Sequence, residues 1–197
     1  MDDCVIYDFE TLGQDPQKSV VLSFAMLTFS ERHYINDSYS FEELIAKTKY
    51  IKFDVEDQIT NYHRKINKET IDWWMEQGEE AKKQIKPSSN DRKISELHGF
   101  IKESLDGAKI KKSFTRGNTF DPIFLQYLMV HTGHPEPFHW RGVRDTRSMI
   151  EGMSFGMKLN NDFMPSEIEN QFIKHDPRHD IAMDVMRMQL LAKAILQ

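Results

Sequence analysis

The stretch "CVIYDFETLG", residues 4–13, sets the reading of the whole chain. Val5, Ile6, Tyr7 and Phe9 suit a strand packed on both faces, so this segment is read as a central strand rather than an open edge. Side chains alternate along a strand, which turns Asp8 and Glu10 to the same face. Two like charges side by side at the end of a buried strand are costly unless a cation lies between them. For a D-x-E pattern standing alone, a solvated pair at the strand's end is the plainer reading, because so short a motif recurs by chance.

With 197 residues, 39% hydrophobic and 29% charged, the chain is expected to form one globular domain over residues 1–197 with room for a substantial core. Its single cysteine, Cys4, excludes a disulfide framework and a thiolate metal site, and points to the reducing cytoplasm. The longest apolar run, "VVLSFAMLTF" (20–29), is too short to cross a bilayer, and no basic leader precedes it. A soluble protein that is neither exported nor membrane-bound is expected. A net charge of −5 argues against a general basic coating for duplex DNA.

Three β-rich stretches, 4–9, 20–29 and "HYINDSYSF" (33–41), read as an antiparallel meander, with Gly13 and Pro16 shaping a loop between the first two. A helix is predicted over 67–85, and a second over 92–105 capped by Asp91. A strand in 108–117 leads to a helix that starts with Asp121 as cap and Pro122 at its first position and closes at Gly133. A strand at 137–143 precedes a helix from about Thr146, for which Asp145 is a candidate cap or an arginine partner. The last helix runs from about Pro177 to Leu196, with Ile181, Val185, Met188, Ala192 and Ile195 as its buried stripe and Met183 and Met186 on its outer side, a candidate partner surface. Strands first, then strands alternating with helices, predict an α/β fold with a mixed sheet flanked by helices.

Further acids fall at element ends. Asp121 in "RGNTFDPIFL" (116–125) stands at one end of the sheet, although Asp at a helix start is also a common stabiliser. In "KHDPRHDIAMDV" (174–185), Pro177 at the first helical position makes Asp176 the cap, leaves His175 in the preceding loop and puts Asp180 in the first turn. His179 and Asp184 repeat the His-to-Asp spacing, but within one helix they point about 140° apart and cannot converge. His179 is expected to face solvent, and Asp184 stays as the rival to Asp180.

"DFET" (8–11), "GNTFD" (117–121) and the histidine five residues before an aspartate resemble, in order, the three motifs of the DEDDh 3′–5′ exonucleases of the ribonuclease H-like superfamily. "TIDWWMEQ" (70–77) and "RGNTFDPIFL" are most similar to the phage exonuclease A type and related small bacterial exoribonucleases. The resemblance implies a ribonuclease H-like sheet and two-metal hydrolysis of phosphodiester bonds from the 3′ end, releasing nucleoside 5′-monophosphates. It assigns Asp8, Glu10, Asp121 and Asp180 as ligands of two Mg2+ ions, replaceable by Mn2+, with Asp8 bridging the ions, and His175 as general base. Oxygen donors suit such hard cations, and a histidine titrating near neutrality suits the base.

In similar enzymes the terminal nucleotide lies beside the loop after the first motif, which makes Thr11 and Leu12 candidate contacts and, before Asp121, Asn118 and Phe120. Trp73 and Trp74, adjacent on a helix, point about 100° apart, so at most one faces a ligand; packing of both inside is the plainer expectation. Basic residues in 109–117 and 141–147 could hold phosphates or simply face solvent. The expected substrate is single-stranded DNA, with RNA as the alternative. A non-catalytic nucleic-acid-binding module and a phosphatase of small phosphoesters are the competing readings. Monomer and homodimer are both left open.

Overall fold

The structure, a computed structural model, describes residues 3–32 and 38–196. Five strands form one sheet: β1 (Cys4–Thr11), β2 (Val21–Phe29), β3 (Lys49–Lys52), β4 (Lys112–Thr115) and β5 (Val143–Asp145), in the order β3-β2-β1-β4-β5. β1 is thus central, antiparallel to β2 and parallel to β4, as its continuous apolar run predicts. β2 and β3 are antiparallel, and β4 and β5 parallel. This is the mixed, helix-flanked α/β sheet of the ribonuclease H-like arrangement.

The helices are α1 (Phe41–Lys47), α2 (Val55–Tyr62), α3 (Lys68–Met75), α4 (Glu79–Lys82), α5 (Leu97–Leu105), α6 (Asp121–Thr132), α7 (Thr146–Ser154) and α8 (Pro177–Leu196). The alternation of β1 divides the core. Cys4 and Ile6 pack with Ile181, Ala182 and Val185 of α8 on one face. Val5, Tyr7 and Phe9 pack with residues of α5 and α6, including Ile101, Phe124 and Leu128, on the other. Asp8 and Glu10 continue the Cys4 and Ile6 row, and so emerge on the side where α8 begins. Between Glu10 and Thr11 the pairing with β2 slips by one residue, and buried Gln58 serves both backbone groups of Val21 there, accepting from its N–H at 2.9 Å and donating to its carbonyl at 2.7 Å.

Several sequence expectations change. Of the segment read as a third strand, residues 33–37 lie outside the described residues, and Ser40 caps α1. Among the described residues the third strand is β3, which buries only Ile51 and so carries little periodic signal. The helix predicted over 67–85 breaks at Gly78 into α3, α4 and a 3-10 turn, Lys83–Ile85. Asp91 does not cap α5: it accepts from the Ser88 amide and pairs with Lys52, while a 3-10 turn, Ile94–Glu96, leads into the helix. Asp121 is the first residue of α6, after Phe120 at the cap. The strand predicted at 137–143 becomes a 3-10 turn, Trp140–Gly142, with β5 following it.

In α8, Met183 is fully buried and Met186 packs partly against the core, so neither forms an outer surface, whereas Ile195 is exposed. His179 does not face solvent. Its ring meets Phe41 and Phe172, and its Nδ1 accepts from the Ile173 amide at 3.3 Å.

Candidate active site

The site grows from three element ends. β1 carries Asp8 and Glu10 past the end of its pairing with β4. α6 starts at Asp121, whose Oδ1 accepts the Phe9 amide at 3.0 Å and so ties the middle of the chain to the first motif. α8 starts under Asp176, which accepts the Arg178 amide at 3.0 Å, and its first turn presents Asp180.

Oxygens of Glu10 and Asp180 and a ring nitrogen of His175 lie within 4.8 Å of one another. His175 has φ 63°, a left-handed conformation unusual for a residue other than glycine or asparagine. That turn lets its backbone N–H bond the Asp180 carboxyl while its ring stands edge-on to Trp73 at 4.7 Å and to Trp74 at 6.2 Å.

Like charge and burial oppose ionisation here. The Asp8 carboxyl is pushed well up by burial, then by Asp121, Glu10, Asp180 and Asp184. Glu10 is raised by burial, Asp180, Asp121 and Asp176. Asp121 rises to about 7 through burial, against the restraint of its amide bonds. Asp180 also rises to about 7, through burial and the neighbouring Asp184 and Asp176. His175 is lowered by burial and by Lys174, which favours the neutral imidazole.

Among the described residues, no hydrogen bond or ion pair reaches the Asp8 or Glu10 carboxylate, so both are free to bind something else. Buried oxygen donors without protein partners, crowded by like charges, fit a hard divalent cation.

Asp184 behaves differently. It is buried, receives Arg116 at 2.6 Å and Arg187 at 3.0 Å, and accepts from the Thr146 hydroxyl. Its carboxylate is thus engaged by protein groups, whereas Asp180 lies with Glu10 and His175. Asp145 is the cap of α7, accepting from the Arg147 and Ser148 amides, and it also holds the Gly117 amide at 3.1 Å.

Two clefts flank the acids. One, of about 450 Å³, is lined by Asp8, His175, Asp180, Arg116, Lys174 and Arg187 among others. The second, of about 470 Å³, is lined by Glu10, Thr11, Gln14, Asn67, Trp73 and Phe120 among others. Of the candidate substrate contacts, Thr11 and Phe120 line this second cleft. Leu12 is buried with Val20, Leu22 and Trp74, and Asn118 is exposed outside both clefts. The tryptophans divide the two roles: Trp74 is buried and donates to the Thr11 carbonyl at 3.1 Å, while Trp73 is 41% exposed on the cleft wall.

Arg116 falls in the basic stretch 109–117, whereas Arg187 and Lys174 carry no expectation from sequence. The three-residue spacing of Asp184 and Arg187 on one helix face was the available signal for that pair. The loop behind the second cleft is held by Arg64, buried, which donates to the Ser19 carbonyl at 2.5 Å. It passes so close to its own start that a side chain at Gly13 would collide with Ser19.

The profile of the family described as the 3′-5′ exoribonuclease Rv2179c-like domain matches residues 3–190. An exodeoxyribonuclease of Enterobacteria phage T4 is 30% identical, over 93% of this chain and 86% of its own. Among solved structures, the zinc-bound E. coli exonuclease I complex with single-stranded DNA superposes with a TM-score of 0.61 at 12% identity, over 99% of this chain and 40% of that one. The complex of the same E. coli enzyme with a dA16 oligonucleotide gives 0.60 at 15% identity, over 99% and 41%. The chain thus spans about two fifths of the solved structures it resembles, and at these identities they speak for the fold.

The family match and the phage relative define the class as 3′–5′ exonucleases of the DEDDh type. Within that class, the chain belongs to the Rv2179c-like family. No helix among the described residues is long and apolar enough to cross a membrane.

Proposed function

We propose that residues 1–197 act as one domain, a 3′–5′ exonuclease that shortens single-stranded DNA and releases nucleoside 5′-monophosphates. The observation that carries this reading is the convergence of Glu10, Asp180 and His175, with Asp8 and Asp121 beside them, at the meeting of two clefts. DNA is preferred over RNA because the phage relative matched over most of both chains is an exodeoxyribonuclease. The family description, an exoribonuclease, keeps RNA as the second reading.

Asp8, Glu10, Asp121 and Asp180 would hold two divalent cations, magnesium or in its place manganese. When bound, these cations supply charge neutralisation at the scissile phosphate and lower the pKa of water. The chain's own part is positional. Neutral His175, fixed by its backbone turn and the two tryptophans, takes the proton as water oxygen attacks phosphorus. The bond from phosphorus to the 3′ oxygen breaks, the oxygen leaves with the bonding pair and takes a proton from solvent water, and a nucleoside 5′-monophosphate and a strand shorter by one result. Trp73 and Phe120 offer ring faces to the terminal bases, and Thr11 and Gln14 offer polar atoms beside them. The lone thiol, Cys4, is buried and pushed up to about 12 by burial, and we place the protein in the reducing cytoplasm.

The test compares the wild type with Asp8→Asn on 5′-labelled single-stranded DNA and RNA of matched sequence. A ladder shrinking from the 3′ end in magnesium, absent in chelator and in the variant, is expected, with DNA faster. Shortening that survives chelation or the variant would overturn the metal assignment, and a faster RNA ladder would move the substrate to RNA.

A further inference from the structure

Away from both clefts, the approach to edge strand β5 carries a cluster that the reaction does not use. Trp140 is 69% exposed on the 3-10 turn Trp140–Gly142. Its ring lies against His139 at 5.7 Å with an interplanar angle of 22°, and the Arg141 guanidinium stands 5.0 Å from its centroid. An indole left so open is unusual in a surface otherwise rich in charge.

The backbone beneath the cluster is held in place. His139 Nδ1 accepts the Arg141 amide at 3.2 Å, which caps the turn. Gly142 is packed so closely that a Cβ there would sit 2.6 Å from the Lys111 carbonyl oxygen. Arg144 donates to the carbonyls of Arg141 at 3.0 Å and Val143 at 2.8 Å, covering backbone acceptors of the edge strand. That cover disfavours addition of another strand to this edge and leaves its side chains as the binding face.

Charge points to the occupant. Arg141, Arg144 and Arg147 are exposed, and among the described residues none pairs with a carboxylate, although the chain carries a net charge of −5. Neighbouring acids are engaged elsewhere: Asp145 caps α7, Asp3 faces Lys111, Glu31 pairs with Lys112 at 2.5 Å, and Glu136 takes Gln126. Arg141 stands on the turn before β5, Arg144 on the strand and Arg147 in the first turn of α7, the last two on either side of Asp145, which holds Gly117 of the second motif.

We infer that Trp140 and the arginines at 141, 144 and 147 form a second, non-catalytic contact for single-stranded DNA, holding the strand upstream of the end being cut. Bases stack on Trp140 and phosphates meet the arginines. The inference rests on the exonuclease reading for its substrate, but not on the catalytic residues.

Trp140→Ala, Trp140→Phe and the double variant Arg141→Glu/Arg147→Glu test it, since all three side chains are exposed and the melting temperature should hold. Affinity for a long labelled single-stranded oligodeoxynucleotide is read by anisotropy in chelator, and hydrolysis of that oligonucleotide and of a dinucleotide in magnesium. Trp140→Ala should bind the long strand about tenfold more weakly and raise its KM with kcat unchanged, while dinucleotide hydrolysis stays at the wild-type level and Trp140→Phe restores binding. The double variant should also flatten the dependence of log affinity on log salt by about 0.7 for each arginine. Wild-type affinity and salt slope in all variants would overturn the inference even if hydrolysis is normal. Loss of binding in a protein that hydrolyses nothing would uphold it and overturn the exonuclease reading instead.

Discussion

The Phe9 amide donates to Oδ1 of Asp121 at 3.0 Å, joining residues 112 positions apart in the chain. The bond fixes the second-motif acid to the backbone between the two first-motif acids, so Asp8, Glu10 and Asp121 keep their spacing without a cation. Because Asp121 is raised from 3.8 to about 7, the folded protein retains a proton between those values that the unfolded chain has released. Stability of the metal-free protein therefore falls as pH rises through this window. Asp121→Asn keeps an acceptor for the Phe9 amide and removes the charge. It should melt several degrees higher than wild type in chelator at pH 8, with the difference closing near pH 4, as followed by thermal denaturation.

Cation binding should release protons. Asp180 and Asp121 both sit at about 7 without a cation, so at pH 6 each must lose its proton for the site to fill. Calorimetric titration of magnesium in buffers of different ionisation enthalpy should give a proton release that shrinks as pH climbs past about 8, with affinity rising over the same range. A pH-independent affinity would contradict the crowding of carboxylates.

His175→Asn separates chemistry from folding, because asparagine tolerates the left-handed backbone at this position. Loss of general base catalysis should lower kcat by roughly 10²- to 10⁴-fold, while the melting temperature and the KM for single-stranded DNA change little. With the histidine lowered by burial and Lys174, the acid limb of the wild-type kcat/KM profile should lie below the ordinary histidine range.

The adjacent tryptophans should part company. Trp74→Ala removes a buried ring and leaves the Thr11 carbonyl without its donor, a loss of about 3–5 kcal/mol in denaturant unfolding. Trp73→Ala should leave unfolding within about 1 kcal/mol of wild type and raise the KM for single-stranded DNA several-fold.

Asp184→Ala should act on stability rather than cation binding. It leaves buried Arg187 without its carboxylate, for a cost of about 3–5 kcal/mol by chemical denaturation. Asp180→Asn should do the reverse, abolishing calorimetric magnesium binding while the protein stays folded.

Much of the site was legible because it depends on local rules. The alternation of β1 put Asp8 and Glu10 on one face, and Pro177 after Asp176 placed His175 before the helix and Asp180 in its first turn. Caps, breakers and period-two patterns act within a few residues, so the sequence by itself determined the central strand, the start of α8 and the order of the three motifs. Tertiary structure alone decided the rest. β3 pairs its four residues with β2 across a long connection, a partnership no local pattern announces. Asp184 is paired with Arg116, from β4's end, while Asp180 lies with Glu10 and His175, and neither arrangement shows in the spacing. Trp73 and Trp74, like Met183 and Met186, differ in fate only through what packs against them. Burial is a property of partners distant in the chain, and no local pattern encodes it.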